Sequence, residues 1–181
     1  MKRWTIDPTH SEINFKVKHL VVSTVTGQFD KYTATIDAVE PDFSDALIAF
    51  EADVNTINTG NAQRDAHLKS PDFFNAELYP KMSFVSKSVT RKSANELSVV
   101  GDLTIAGKTN QVELAVIHNG TVAGFGGATV AGFEVKGAIN RFDFGLHWNA
   151  MTEAGGVIVS DTVKIEILAE MTLAREAQKA A

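Results

Sequence analysis

Apolar and polar residues alternate with a period of two along most of the chain. Between Ser11 and Val21 the odd positions carry Ile13, Phe15, Val17 and His19, while the even ones carry Glu12, Asn14, Lys16 and Lys18. That pattern describes a strand with one buried and one wet face. It recurs at Ile48, Phe50, Ala52 and Val54, and at Leu97, Val99, Gly101, Leu103 and Ile105. Further copies run through Val112–Val116, Phe133–Ile139 and Val163–Met171. Between Val25 and Ile36 the phase slips from Val25, Gly27 and Phe29 to Tyr32, Ala34 and Ile36, which predicts a β-bulge near Asp30-Lys31.

Turn residues separate these runs. Asn119-Gly120 predicts a type I′ hairpin, because both residue types tolerate positive φ. Ser93-Ala94-Asn95 and Ala106-Gly107-Lys108 predict two more, and Glu153-Ala154-Gly155-Gly156 a longer loop. Residues 61–70 break the β pattern: Asn61 is an N-cap candidate, Pro71 a stop, and Asp65 and Lys69 an i,i+4 pair, so a short helix is predicted. Arg64, His67 and Leu68 share one of its faces.

About seven or eight strands with one helical insertion suit either a sandwich or a closed barrel. Runs of about ten residues reach roughly 33 Å, or about 25 Å of barrel height at a tilt near 40°. Strand length therefore favours an all-β fold, an extended antiparallel eight-stranded barrel, whose interior holds one small ligand. A single domain over residues 1–174 with a frayed tail at 175–181 is expected.

The chain has 181 residues, 44% of them hydrophobic, and no apolar run near the ~18 residues of a membrane-spanning helix. No stable membrane insertion is therefore expected. With a net charge of −5 and no basic stripe, nucleic acid is not an expected partner. Cysteine is absent, which removes disulfides and thiolate chemistry. Asp7, His10 and Glu12 interrupt any apolar stretch behind Lys2-Arg3, so the chain reads as cytoplasmic, or periplasmic if a leader is removed.

The Trp4…Asp7…His10-Ser11 opening, the Gly27-x-Phe29 step and the stretch Asn58-Thr59-Gly60…Arg64-Asp65-x-His67-Leu68…Asp72-Phe73-Phe74…Tyr79-Pro80…Phe84-x-Ser86 form an ordered set. Gly101-x-Leu103-Thr104-Ile105-x-Gly107, Arg141-x-Asp143-Phe144-Gly145 and Val159-Ser160-Asp161-x-Val163 continue it. Together, over roughly Trp4 to Leu173, they resemble the YceI family of lipocalin-like polyisoprenoid-binding proteins. The resemblance implies a long interior pore that takes polyprenyl or fatty-acid amphiphiles. It also implies a homodimer as a common assembly, and a secretory signal that this sequence does not show.

The expected inward apolar set is Phe15, Val17, Phe29, Ile48, Phe50, Phe84, Leu103, Val116 and Phe144; each taken singly reads first as plain core, while some of the set must line whatever cavity exists. Eleven phenylalanines against two tyrosines and two tryptophans suit a dry tube. Arg64 and His67 form a candidate polar mouth for a diphosphate or carboxylate head. The competing reading ties the helix to the barrel through Arg64, and Asp65 reads as structural. His19 and His118 fall on buried faces and read as core histidines, since no HxxxH or HExxH spacing accompanies them. Arg141 and Asp161 are expected to pair across the barrel, because a lone buried charge is costly. Gly124-x-Gly126-Gly127 lacks the Lys-Ser/Thr of a phosphate loop and reads as a flexible or closely packed strand. No catalytic, metal or cofactor site is expected.

Three functions compete: a carrier of a long-chain amphiphilic lipid, an enzyme acting on such a lipid, and a ligand-free structural module. Burying ~300 Å² contributes about 7 kcal/mol, within the roughly 4–15 kcal/mol that association costs, whereas ~700 Å² contributes about 17 kcal/mol. A dry barrel thus favours long chains.

Overall fold

A computed structural model describes residues 1–151, 153, 156 and 158–174. The tail at 175–181 and the middle of the 153–156 loop, residues 154 and 155, lie outside the described residues. Eleven strand segments are present among those described: β1 (Lys2–Ile6), β2 (Glu12–His19), β3 (Ser23–Phe29), β4 (Tyr32–Ala38), β5 (Leu47–Asp53), β6 (Ile57–Asn58), β7 (Lys81–Arg91), β8 (Glu96–Ile105), β9 (Lys108–Ala123), β10 (Thr129–Asn140) and β11 (Val159–Leu173). One α-helix, α1 (Ala62–Lys69), joins β6 to β7.

Three breaks divide long strands into pairs of segments: Asp7–Ser11 separates β1 from β2, Asp30-Lys31 separates β3 from β4, and a 3-10 turn at Val54–Thr56 separates β5 from β6. Rejoined, the segments give eight staves, each antiparallel to the next. β11 closes the cylinder by pairing with β1 near its end (Trp4↔Leu173, Ile6↔Met171) and with β2 along the rest. The fold is the expected eight-stranded barrel, and closure removes the open edges at which sheets aggregate.

The breaks have local causes. At the first, Asp7 Oδ1 accepts from the Thr9 amide at 2.8 Å and from its hydroxyl at 2.6 Å. These bonds, with His10, hold the Asp7 carboxyl down to about 2. At Asp30-Lys31 the inward face passes from odd to even positions, as the phase slip predicts.

Asn119-Gly120 is not a hairpin. β9 runs through it, and Asn119 is the extra residue between the pairs His118↔Phe133 and Gly120↔Gly132. The same tolerance of unusual backbone angles that serves a turn here serves a bulge, with Gly120 at φ +124°. The actual β9–β10 turn is Gly124–Ala128, closed by Gly124 N–H to the Ala128 carbonyl at 2.6 Å, with Gly126 and Gly127 at φ +68° and +78°. Those glycines are turn residues rather than strand ones. Hairpins at 93–95 and at Ala106-Gly107 lie where the sequence places them.

One end of the barrel is stopped by aromatic rings. Phe43, on the β4–β5 loop, meets Trp4 at 5.4 Å, Phe133 at 5.0 Å and His118 at 4.9 Å between centroids. The loop is braced by Asp45, whose carboxylate accepts from the Val39 and Glu40 amides. His118 also stacks on Phe133, at 5.1 Å and 23°.

Burial lowers the His118 pKa below 6.5, so the unfolded chain takes up a proton there before the folded one does. This contribution to stability is whole above pH 6.5 and is lost as pH falls below it. Between pH 7 and pH 5 the wild type is therefore expected to lose melting temperature relative to His118→Phe, His10 with its raised pKa acting in the opposite sense in both proteins; thermal scans across pH would show parallel slopes if His118 had no part.

Candidate functional site: an apolar lumen with one polar mouth

Inward positions of all eight staves surround a cavity of about 650 Å³. The lining includes each residue expected to meet a ligand: Phe15, Val17, Phe29, Ile48, Phe50, Phe84, Leu103 and Val116 on the strands, Phe144 from the 3-10 turn Arg141–Phe144, and Arg64 and His67 from α1. Many of these point inward yet are only half-buried, among them Phe15, Val17, Ile48 and Phe50. In a solid core such residues would be sealed by their neighbours; here their faces border the lumen.

Small residues open this space. A Cβ built on Gly27 would lie 2.2 Å from the Phe15 ring, and one on Gly101 would lie 2.4 Å from the Phe84 ring. The far ends of both rings therefore reach over the glycines of the neighbouring strand, into space that a side chain there would take. In Gly27→Ala the Phe15 ring must lift into the lumen, at about 1–3 kcal/mol of stability. Weaker uptake of a long-chain probe is expected with it; unchanged stability and uptake, by thermal melts and fluorescence titration, would contradict the packing described.

The two ends differ. Lining residues at the stopped end, including Phe43, Ala46, Leu97, Phe133 and Met171, are buried. At the α1 end the lining includes exposed Lys18, Asn61 and Gln63 with half-buried His19, Arg64, His67 and Trp148, so the lumen opens there.

Helix α1 is held in place by its own sequence. Asn61 Oδ1 accepts from the Arg64 amide at 2.9 Å, a side-chain N-cap. Asp65 accepts from the Thr59 amide at 2.9 Å and from its hydroxyl. Leu68 anchors the inner face on the cluster of Ile13, Phe29, Ala52 and Ile57. Arg64 donates from Nε to the Thr59 hydroxyl at 2.7 Å and from Nη2 to the Thr59 carbonyl at 2.8 Å. It ties the helix down through these oxygens rather than through a carboxylate. His67 Nε2 lies 2.8 Å from Asp72 Oδ2, and its ring is flanked edge-on by Trp148 at 4.8 Å and Phe73 at 5.1 Å.

The expected Arg141–Asp161 pair does not form. Arg141 points inward and is buried, but its N–H groups go to carbonyls: Ser160 at 2.8 Å, Trp148 at 2.7 Å, Leu146 at 2.5 Å and Val159 at 3.2 Å. Asp161 is exposed. The irregular segment after the 3-10 turn Arg141–Phe144 and the start of β11 each aim two carbonyls at the guanidinium, so no carboxylate is needed for satisfaction. Of the two histidines, His19 reaches the mouth, whereas His118 is packed in the aromatic stop.

Sequence reasoning missed Leu68, Phe73, Phe74, Leu146, Trp148 and Ile158 among the lining residues. Leu68 was legible from its place beside Arg64 on the helix face; the others lie in irregular segments with no period. Outside the barrel, Asp7, His10 and Glu170 bring three donor atoms within 4.8 Å of one another. Asp7 is already engaged by Thr9 and His10.

A family model described as a YceI-like domain matches residues 4–171. UPF0312 proteins of Staphylococcus aureus strains MSSA476 and MW2 are each 40% identical over 174 residues, covering 96% of this chain and 99% of theirs. A Campylobacter jejuni YceI protein superposes with a TM-score of 0.75 at 32% identity, over 88% of this chain and 90% of that one. BcnA of Burkholderia cenocepacia gives 0.80 at 23% identity, over 91% and 98%. A polyisoprenoid-binding domain from Saccharophagus degradans gives 0.70 at 16%, over 94% and 98%. With the barrel, its lumen and these likenesses in hand, the chain belongs to the YceI-like family.

Proposed function

We propose that this protein carries one long-chain amphiphilic lipid, a polyisoprenoid or a fatty-acid derivative, with its tail in the lumen and its head at the mouth. The observation that carries this reading is the apolar cavity of about 650 Å³, several of whose inward residues, Phe15, Val17, Ile48 and Phe50 among them, are only half-buried. At roughly 30 Å³ per water-sized group, that volume takes about 20 chain carbons. Phe15, Val17, Phe29, Ile48, Phe50, Phe84, Leu103, Val116 and Phe144 would contact the tail. Arg64, with two of its donors spent on Thr59, keeps Nη1 for an anionic head, and His67 would sit beside it. The fold shared with the polyisoprenoid-binding domain of Saccharophagus degradans supports the lipid class. Binding rather than turnover is the reading that the YceI-like family match and the polyisoprenoid-binding neighbour support.

Organic extraction of freshly purified protein followed by mass spectrometry tests this directly. One long-chain species per protein is expected, or stoichiometric uptake of an added one. Repeated absence of both would leave the ligand-free module as the better account.

A further inference from the structure

The mouth has an apolar rim that the interior does not explain. The β2–β3 hairpin ends in Leu20-Val21-Val22, whose relative exposures are 39%, 79% and 86%. Leu20 and Val21 stand at φ +50° and +65°. A β-branched residue in the left-handed region is strained and is retained where function over-determines it. The tip continues into a second apolar group: Leu20 N–H donates to the Ile158 carbonyl at 2.9 Å, and Ile158 N–H to the Ala150 carbonyl at 3.0 Å. Met151, next to Ala150, is 70% exposed. Ile158 and His19 line the lumen, so this rim adjoins the opening itself.

Just behind the tip stand cations. Lys18 is exposed at the mouth, and Lys16 faces Lys164 across the β2–β11 pair. Glu166 accepts from Lys16 at 2.6 Å and also lies near Lys136 and Lys164, while exposed Asp161, which accepts from the Thr162 hydroxyl, and exposed Glu153 beyond Met151 are the other acids here. Lys16, Lys18, Lys136 and Lys164 thus stand against Glu166, Asp161 and Glu153 on this side. Apolar residues at the tip, with lysines two and four residues back along β2, match the layering of an anionic phospholipid surface, acyl region first and headgroups next.

We propose that the β2–β3 tip and Met151 dock the mouth on an anionic phospholipid bilayer, so that a lipid passes between membrane and lumen without crossing water. The surface partner rests on the rim alone; its use for loading rests on the lipid-carrier reading above.

The test uses the full chain and vesicles of phosphatidylcholine with phosphatidylglycerol. Wild-type protein is expected to float with them, and Val21→Asp with Val22→Asp to lose at least tenfold in partitioning while melting as the wild type does. Val21→Gly relieves the left-handed strain, so it should raise the melting temperature, by about 2–4 °C per kcal/mol recovered, yet still weaken flotation. Failure of the wild type to float, or flotation of the Asp variant at wild-type level, would overturn the proposal. So would a tip substitution that only dissolves a dimer in light scattering. Uptake of a long-chain probe from cyclodextrin should survive in the Asp variant. Flotation without any cyclodextrin uptake would uphold docking and count against the carrier reading, which separates the two.

Discussion

Adding four methylenes to a saturated acyl probe is expected to tighten its binding about two-hundredfold. Each buried methylene contributes about 0.8 kcal/mol, and four give roughly 3 kcal/mol. The gain should persist while the added carbons find apolar wall, and stop near the roughly 20 carbons that a lumen of about 650 Å³ accommodates. Probes of one headgroup and increasing length, titrated by calorimetry, give the slope and the break. A slope near zero from the shortest probe onward would mean that the head alone is bound. Trp148 at the mouth offers an independent optical reporter, once Trp4, buried at the opposite end, is replaced by phenylalanine.

The second large effect concerns Arg141, the buried cation that gathers four carbonyls. Arg141→Met keeps the length of the side chain and removes every donor. The Leu146, Trp148 and Ser160 carbonyls lose this partner, while that of Val159 keeps the Asn149 amide at 2.9 Å. A loss of about 3–5 kcal/mol is expected, a drop in melting temperature of roughly 10 °C for a chain of this size. Arg141→Lys should recover only part of it, since one ammonium cannot reach groups arranged around a planar fork. Urea titration monitored by circular dichroism measures both; a loss below about 1 kcal/mol would show that these carbonyls find other partners or water.

The barrel wall was legible because a strand with one wet face writes its geometry into parity. That single rule places Phe15, Ile48, Leu103 and Val116 on the lumen, and a slip in it marks the break at Asp30-Lys31. The same rule hid β7: a register shift between Ser86 and Ser88 moves the inward face from Met82 and Phe84 to Val89, so no run is long enough to read. Asn119-Gly120 misled because a bulge and a type I′ turn ask for the same residues, and only the continuation of pairing on both sides tells them apart. Arg141 was correctly sent inward by phase, but its partners are main-chain carbonyls of an irregular segment and of the first two residues of β11, and side-chain identity carries no trace of those.

The ring of Phe43 makes the barrel blind at one end. An amphiphile meeting a vessel with a single entrance can go in only tail first, and it leaves by reversing the same path. Its headgroup then never has to travel through oil, and it arrives at any acceptor already facing outward. Such a vessel has no through-flow: it can hold, present and surrender one molecule, and it must be emptied before it is filled again.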